Sequence, residues 1–164
     1  MYFASRVQAG RMLAAQLTKK YRYENCAVVA LGDGGVMVGA QIAVELHCIL
    51  TMLASAEIML PREPQAIAGI TSGGTVSYNH AYSDGELDEM VGENYGFIEQ
   101  EKLIAAVPFA SVQAVDRMHV QADELYCLDV IQDYIETDHY YDVQDVPDHE
   151  TVLKTLENVV LKWK

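Results

Sequence analysis

Apolar residues near the start of the chain recur at spacings of three and four, which predicts a helix over residues 5–21. Ser5 can cap the first turn of this helix, and Gln8 completes a capping-box pattern three residues later. Phe3 lies close enough ahead of the helix to pack on it. The residues expected to face the core are Gly10, Leu13, Ala14, Leu17 and Tyr21.

A continuous apolar run at residues 26–31 predicts a short strand covered on both faces, as in a parallel sheet. A glycine-rich loop follows at once, and residues 36–47 then predict a second helix. The loop consists of Gly32, Asp33, Gly34 and Gly35, and the apolar side of the helix carries Val38, Ile42 and Leu46.

The middle of the chain combines apolar runs with turn residues. Residues 49–60 form another apolar run. Residues 66–71 and 75–80 predict the two strands of a β-hairpin around its glycine pair. The acidic residues 84–102 are expected to form a helix that is broken near Gly92 or Gly96.

Two later apolar runs, at residues 103–109 and 124–130, predict further strands. Ser111 can cap a helix between them, and a last helix is expected to start near Asp148. Strands mostly alternate with helices, so the pattern predicts an α/β fold with a mainly parallel sheet, flanking helices and a small β-hairpin insertion, in a single domain over residues 1–164. The apolar face expected of the last helix is Leu153, Leu156, Val160 and Trp163.

The charge of the chain narrows the classes of partner. Acidic residues number 24 against 11 lysines and arginines, which gives a formal net charge of −13. Nucleic acids and anionic membranes attract basic surfaces, so neither is an expected partner. The same acidic balance favours solubility.

Three cysteines, Cys26, Cys48 and Cys127, are too widely spaced for a zinc knuckle or a redox motif. Reduced thiols that line the core are the simpler interpretation, and they favour a cytoplasmic location. The first residues lack a basic region followed by an apolar stretch, so no signal peptide is expected.

The glycine-rich loop at residues 32–35 has the composition of an anion site. Glycines let the backbone approach a ligand closely, and a helix start presents free N–H groups with a partial positive charge. The loop is neither a P-loop nor a GxGxxG motif. A tight turn that needs glycine for its backbone explains the pattern equally well, and Asp33 suits magnesium or a ribose hydroxyl better than a bare phosphate.

Two early segments, Phe3 to Ala14 and Val28 to Gly39, resemble the opening of the type I phosphoribosyltransferases. Residues 103–110 and 122–128 resemble the late strands of that family. Residues 138–146 are similar to its C-terminal segment, so the resemblance covers most of the chain.

This resemblance implies a phosphoribosyltransferase-like fold and a glycosyltransferase activity in nucleotide metabolism. Such enzymes transfer ribose 5-phosphate from phosphoribosyl pyrophosphate to a nitrogen nucleophile, usually with Mg²⁺. The resemblance also implies that Gly32, Asp33, Gly34 and Gly35 cradle the pyrophosphate, although many members carry a basic residue where this chain has Asp33.

One defining motif of the family has no counterpart in this chain. In the family, an apolar strand, two adjacent acids and a Thr-Gly-x-Thr turn hold the ribose and the 5′-phosphate, ahead of the strand that matches residues 103–109. Here Glu101-Lys102-Leu103 joins the preceding predicted helix directly onto that strand. A second phosphate-like turn has no acid pair before it, so a hairpin turn without ligand is the favoured interpretation; it consists of Thr71, Ser72, Gly73, Gly74 and Thr75.

Other candidate chemistry is weaker. The five histidines form no metal motif, and no metal site is predicted, although His139 with Asp138 and Asp142 is the best ligand set. Three tyrosines could stack on a base, but packing of the C-terminal stretch is the simpler role; they are Tyr134, Tyr140 and Tyr141.

Three hypotheses follow. The first is a degenerate phosphoribosyltransferase-family domain that binds phosphoribosyl pyrophosphate, pyrophosphate or a nucleotide at residues 32–35. The second is an active phosphoribosyltransferase that builds its 5′-phosphate site from other residues, such as 71–75. The third is a non-catalytic structural or interaction protein, a version of the fold with a deleted unit, in which a homodimer covers the exposed apolar surface.

Overall fold

The structure is a computed structural model that describes residues 2–53, 55–58, 68–71, 76–78 and 102–163. The chain divides into two compact units, one formed by residues 1–52 and 100–164 and the other by residues 53–99. The candidate site at the glycine-rich loop belongs to the first unit.

Helix α1 spans Arg6–Tyr21 and begins as its sequence predicts. The Ser5 hydroxyl accepts a hydrogen bond from the Gln8 backbone N–H at 3.1 Å, which caps the first turn. The Gln8 side chain accepts in turn from the Ala4 N–H at 2.7 Å. Every residue of the predicted apolar stripe, from Gly10 to Tyr21, is buried.

Strand β1 spans Ala27–Leu31 and leads directly into helix α2, Gly32–Leu46, which returns to strand β2, Ile49–Leu53. The buried side of α2 includes Val38, Ile42 and Leu46, as predicted. Helices α1 and α2 approach closely, because a Cβ at Gly10 would lie 2.7 Å from the Val38 carbonyl oxygen. Glycine is therefore required at this crossing.

The second half of the first unit repeats the strand-helix-strand order. Strand β6 spans Ile104–Ser111, helix α3 spans Val112–Gln121 and strand β7 spans Glu124–Ile131. The Ser111 hydroxyl caps α3 by accepting from the Ala114 N–H at 3.2 Å. Strands β6 and β7 pair in parallel, with Ile104 opposite Glu124 and Ser111 opposite Ile131.

The last helix, α4, spans His149–Asn158 and begins next to Asp148, as predicted, and the structure shows that Asp148 caps it. The Asp148 carboxylate accepts from the Thr151 N–H at 2.8 Å, and this hydrogen bond lowers the pKa of Asp148. The predicted apolar face is wrong in part: Leu153 is exposed, whereas Val152 and Val159 are fully buried. Residues 152 and 159 also stand two helical turns apart, so the sequence allowed either face.

The fold is mixed α/β, with four helices and two small parallel sheets in the described residues. The prediction of an α/β fold is confirmed in this form. The prediction of one mainly parallel sheet is corrected, because β1 pairs with β2 and β6 pairs with β7 in separate two-stranded sheets. No described helix is long and apolar enough to cross a membrane.

The expectation that residues 26–31 are covered on both faces is also wrong. One face of the β1–β2 sheet packs on α2 through Ala30 and Leu50, which are buried. The opposite face is exposed along both strands. Its residues are Ala27, Val29, Leu31, Ile49 and Thr51.

In the second unit, three short strands pair antiparallel: β3 (Ser55–Ile58), β4 (Ala68–Thr71) and β5 (Val76–Tyr78). The register of β4 and β5 pairs Ala68 with Tyr78 and Ile70 with Val76. The residues that join them, 72–75, lie outside the described part of the chain, as does the helix expected over residues 84–102, apart from Lys102.

A carboxylate at the start of β7 ties that strand to α1. Glu124 pairs with both Lys20 and Lys102. It also accepts hydrogen bonds from the hydroxyls of Tyr21 and Tyr126. The hydrogen bonds from Lys102, Lys20 and Tyr21 hold the pKa of Glu124 well below its ordinary value of 4.5.

This network makes folding stability depend on pH. A carboxyl group with a depressed pKa in the folded state stabilises the fold above its unfolded pKa, and the contribution is lost as the pH falls. We expect wild type to lose more stability than Glu124→Gln between pH 6 and pH 3, with the difference opening below about pH 4.5. Urea unfolding at each pH measures this, and equal losses in the two proteins would contradict it.

Candidate functional site

The candidate anion site is the first turn of α2. The predicted loop at residues 32–35 is part of the helix, because α2 begins at Gly32 immediately after β1. The first four N–H groups of a helix have no partner within it. The residue before the helix, Leu31, offers no side-chain cap. The backbone of Gly32, Asp33, Gly34 and Gly35 therefore presents hydrogen-bond donors at the positive end of the helix dipole.

The glycines in this turn have different structural reasons. Gly32 adopts φ +66° with open space where a Cβ would lie, so its backbone conformation requires glycine. Gly34 has ordinary helical geometry, but a Cβ there would lie 3.0 Å from Arg6 Nε. A Cβ at Gly35 would make ordinary contacts with Ala30 at 3.6–3.9 Å. Backbone and packing thus account for Gly32 and Gly34, whereas Gly35 could be alanine.

Arg6 lies beneath this turn and is almost fully buried, with 4% of its side chain exposed. Its Nη1 donates to Asp145 Oδ1 at 3.2 Å, and its Nη2 donates to Asp138 Oδ1. The guanidinium carbon stands 4.4 Å from the centre of the Tyr141 ring. The Asp145 carboxylate also accepts from the Arg6 and Val7 backbone N–H groups, at 3.2 and 3.4 Å, so it holds the start of α1 as well.

The charged side chains named around the turn carry an excess of negative charge. Two carboxylates, Asp138 and Asp145, share the positive charge of Arg6, and Asp33 adds a third carboxylate in the turn itself. Arg6 is therefore already neutralised by the protein. An anion at the helix start would accept hydrogen bonds from the backbone N–H groups but would be repelled by the nearby carboxylates. A divalent cation bound with the anion would offset this repulsion.

The segment after β7 brings the predicted tyrosines together by packing. Tyr140 and Tyr141 are buried, and Tyr134 stacks on Tyr140 with ring centres 5.9 Å apart. The Tyr140 hydroxyl is satisfied by the Asp133 carbonyl and the Ile135 N–H, both at 3.2 Å. Burial raises the pKa of Tyr141 to about 12, so it remains protonated. Of the three rings, Tyr134 is the one with substantial exposure, at 44%.

The weakest candidates do not come together. Asp138 is paired with Arg6, and the His139 Nε2 atom lies 2.9 Å from the Tyr2 hydroxyl, so the acid and the histidine serve separate contacts. The described part of the chain contains no group of three side chains suited to a metal ion. Thr71 ends β4, and the other residues of the second phosphate-like turn, Ser72, Gly73, Gly74 and Thr75, lie outside the described residues.

Sequence reasoning missed Arg6 and Asp145 as neighbours of the glycine turn. The two residues are 139 positions apart, and no local periodicity connects them. One signal was present: Arg6 stands three and four residues before Ala9 and Gly10, in register with the buried stripe of α1. An arginine on such a face is rarely buried without acidic partners.

Comparison with known proteins gives the fold alone. No protein-family model and no curated protein matches the chain. The crystal structure of TT1426 from Thermus thermophilus is similar over 99% of both chains, with a TM-score of 0.63 and 21% identity. A hypoxanthine phosphoribosyltransferase from Staphylococcus aureus aligns over 87% of this chain and 88% of its own, with a TM-score of 0.39 and 13% identity. The first similarity establishes a shared fold, and the second is too low to add to it.

The buried ion pairs predict a strong dependence of stability on Arg6. We expect Arg6→Met to lower the free energy of unfolding by about 3–5 kcal/mol, because Asp145 would remain largely buried without its cation. Urea unfolding measures the change.

Arg11→Met is a matched control on the same helix, since Arg11 is exposed and makes one hydrogen bond, to Gln41 at 3.3 Å. We expect it to change stability by about 0.5 kcal/mol or less. Equal stability of the two variants would show that the Arg6 pairs contribute little to the fold.

Proposed function

We propose that this chain is a degenerate, phosphoribosyltransferase-like binding domain whose ligand is a magnesium-bound diphosphate, such as the pyrophosphate end of phosphoribosyl pyrophosphate or of a nucleotide. The observation that carries the proposal is the start of α2. Four consecutive backbone N–H groups stand there without a side-chain cap, directly at the carboxyl end of β1. Ligands of open α/β folds bind at this edge of parallel strands.

The local charge favours the magnesium-bound form over the free anion. Asp33 stands in the first turn of α2, and Arg6, which lies against Gly34, is already paired with two carboxylates. Magnesium is held in proteins by one or two carboxylates together with phosphate oxygens and water. Asp33 would supply the carboxylate, and the N–H groups of Gly34 and Gly35 would face the phosphate oxygens.

The degenerate character rests on the sequence. The acid pair and the Thr-Gly-x-Thr turn of the resembled family have no counterpart, so the groups that would hold the ribose and the 5′-phosphate are missing. Catalysis in such enzymes depends on positioning both ends of the donor. A domain that keeps one end of the site can bind the donor without orienting it for transfer.

Isothermal titration calorimetry tests the ligand and the role of Asp33. We expect heat from phosphoribosyl pyrophosphate or pyrophosphate with Mg²⁺, and much less when the metal is chelated. Asp33→Asn should weaken the magnesium-dependent binding by about tenfold, which corresponds to about 1.4 kcal/mol. No heat up to millimolar ligand from the wild type would remove the proposal.

Asp116→Asn is the matched control, because it makes the same charge change at an exposed position on α3. It should bind as the wild type does. Pyrophosphate release with a panel of bases forms a separate arm. Turnover by the wild type would contradict the proposal of a binding domain and support an active phosphoribosyltransferase. Its 5′-phosphate site would then come from residues such as 71–75.

A second candidate function, a structural or interaction protein that forms a homodimer, is favoured by the exposed face of the β1–β2 sheet. Val29, Leu31 and Ile49 expose 54%, 66% and 57% of their surfaces there. Parallel sheets are ordinarily covered on both faces, and apolar strand surface left open favours association. A second copy of this chain could cover it through an isologous contact.

Light scattering tests this candidate. We expect the wild type to be a dimer and Val29→Asp to be a monomer, since a charge would then be buried at the contact. Val120→Asp places the same charge on another exposed valine, 87% exposed at the end of α3, and should leave the dimer intact. A monomeric wild type would exclude the homodimer.

A further inference from the structure

Two cysteines occupy equivalent places at the beginning of neighbouring strands. Cys26 immediately precedes β1 and Cys48 immediately precedes β2, and these strands pair in parallel. Cys48 is buried in the main hydrophobic core, and Cys26 is partly exposed and packs against the same core. The two thiols thus approach one another from adjacent strands, at the end of the sheet opposite the candidate ligand site.

The packing of α2 shows which side chains of the two strands share a face. A Cβ at Gly39 would lie 3.2 Å from Val28 Cγ1 and 3.1 Å from Leu50 Cδ1, so these side chains meet on the same face under the helix. Side chains alternate between the faces of a strand, so residues two positions earlier share that face. Those residues are Cys26 and Cys48.

The spacing of the strands suits a covalent link. Neighbouring strands lie about 4.8 Å apart. A disulfide joins Cα atoms that are roughly 4.4–6.8 Å apart. The Cys48 thiol also interacts with the Cys26 thiol and with the Val28 backbone, which places it against β1. Burial raises the pKa of Cys48 to about 12, so this thiol is protonated.

We propose that Cys26 and Cys48 form an oxidisable pair that is converted by a hydroperoxide into an intramolecular disulfide. The more exposed Cys26 reacts first: its thiolate attacks a peroxide oxygen, the O–O bond breaks, and a sulfenic acid and water (or an alcohol) result. The Cys48 sulfur then attacks Cys26 Sγ, the S–O bond breaks, and a second water leaves with the Cys48 proton. Two thiols are oxidised by two electrons, and one hydroperoxide is reduced.

Hydrogen peroxide on the reduced full-length chain tests the proposal, followed by alkylation and intact mass spectrometry. We expect a mass loss of about 2 Da before alkylation, from the two hydrogens removed. One of the three thiols should then remain open to alkylation after unfolding. Dithiothreitol should restore all three. A wild type that keeps three alkylatable thiols, or that forms only disulfides between chains, would overturn the proposal.

Peptide mapping under non-reducing conditions identifies the linked residues without any variant. Glu45 lies between the two cysteines, so a protease that cleaves after glutamate places them on separate peptides, joined only by the disulfide. Cys127→Ala is the matched control, because Cys127 is a partly buried thiol on β7. It should retain the mass loss, whereas Cys26→Ala and Cys48→Ala should abolish it. Loss of the link in Cys127→Ala would show that another pair reacts.

Discussion

The buried guanidinium of Arg6 connects segments of the first unit that are far apart in the sequence. It is held by Asp138 and Asp145 from the segment after β7, stacks on Tyr141, and supports Gly34 at the start of α2. An arginine in this position is stable only while both acids remain close, because an unpaired buried charge costs several kcal/mol. The start of α1, the start of α2 and the C-terminal segment must therefore assemble together. The backbone bridge between Phe3 and Tyr141 joins the same N-terminal and C-terminal segments.

This constraint also shapes the candidate site. A free arginine beside a helix start would make an attractive site for a bare phosphate. Here Arg6 is paired with Asp138 and Asp145, and Asp33 adds a further carboxylate. What the turn offers a ligand is therefore backbone N–H groups and one carboxylate, a combination that suits a metal-bound diphosphate.

The sequence predicted best what local contacts decide. Ser5 and Ser111 cap their helices as expected, and the last helix begins next to Asp148 as expected, because a capping side chain bonds to an N–H two or three residues away. The spacing of the apolar residues likewise predicted the buried stripe of α1. The partners of Arg6 were not, since they lie 132 and 139 positions along the chain. For the same reason, the sequence suggested that Gly34 served the backbone or a ligand, whereas in the structure a Cβ at Gly34 would lie only 3.0 Å from Arg6 Nε.

Strand β1 shows how the same local sequence can mislead about its surroundings. Its continuous apolar run is typical of a strand between two layers, yet Val29 and Leu31 face outward. The apolar composition of a strand indicates that both of its faces can be buried, but it does not show what buries them. The layer that covers the second face must come from elsewhere in the chain or from another molecule. In the homodimer proposed above, the second copy of the chain would supply this layer, and the exposed face of β1 and β2 would become the contact between the two copies.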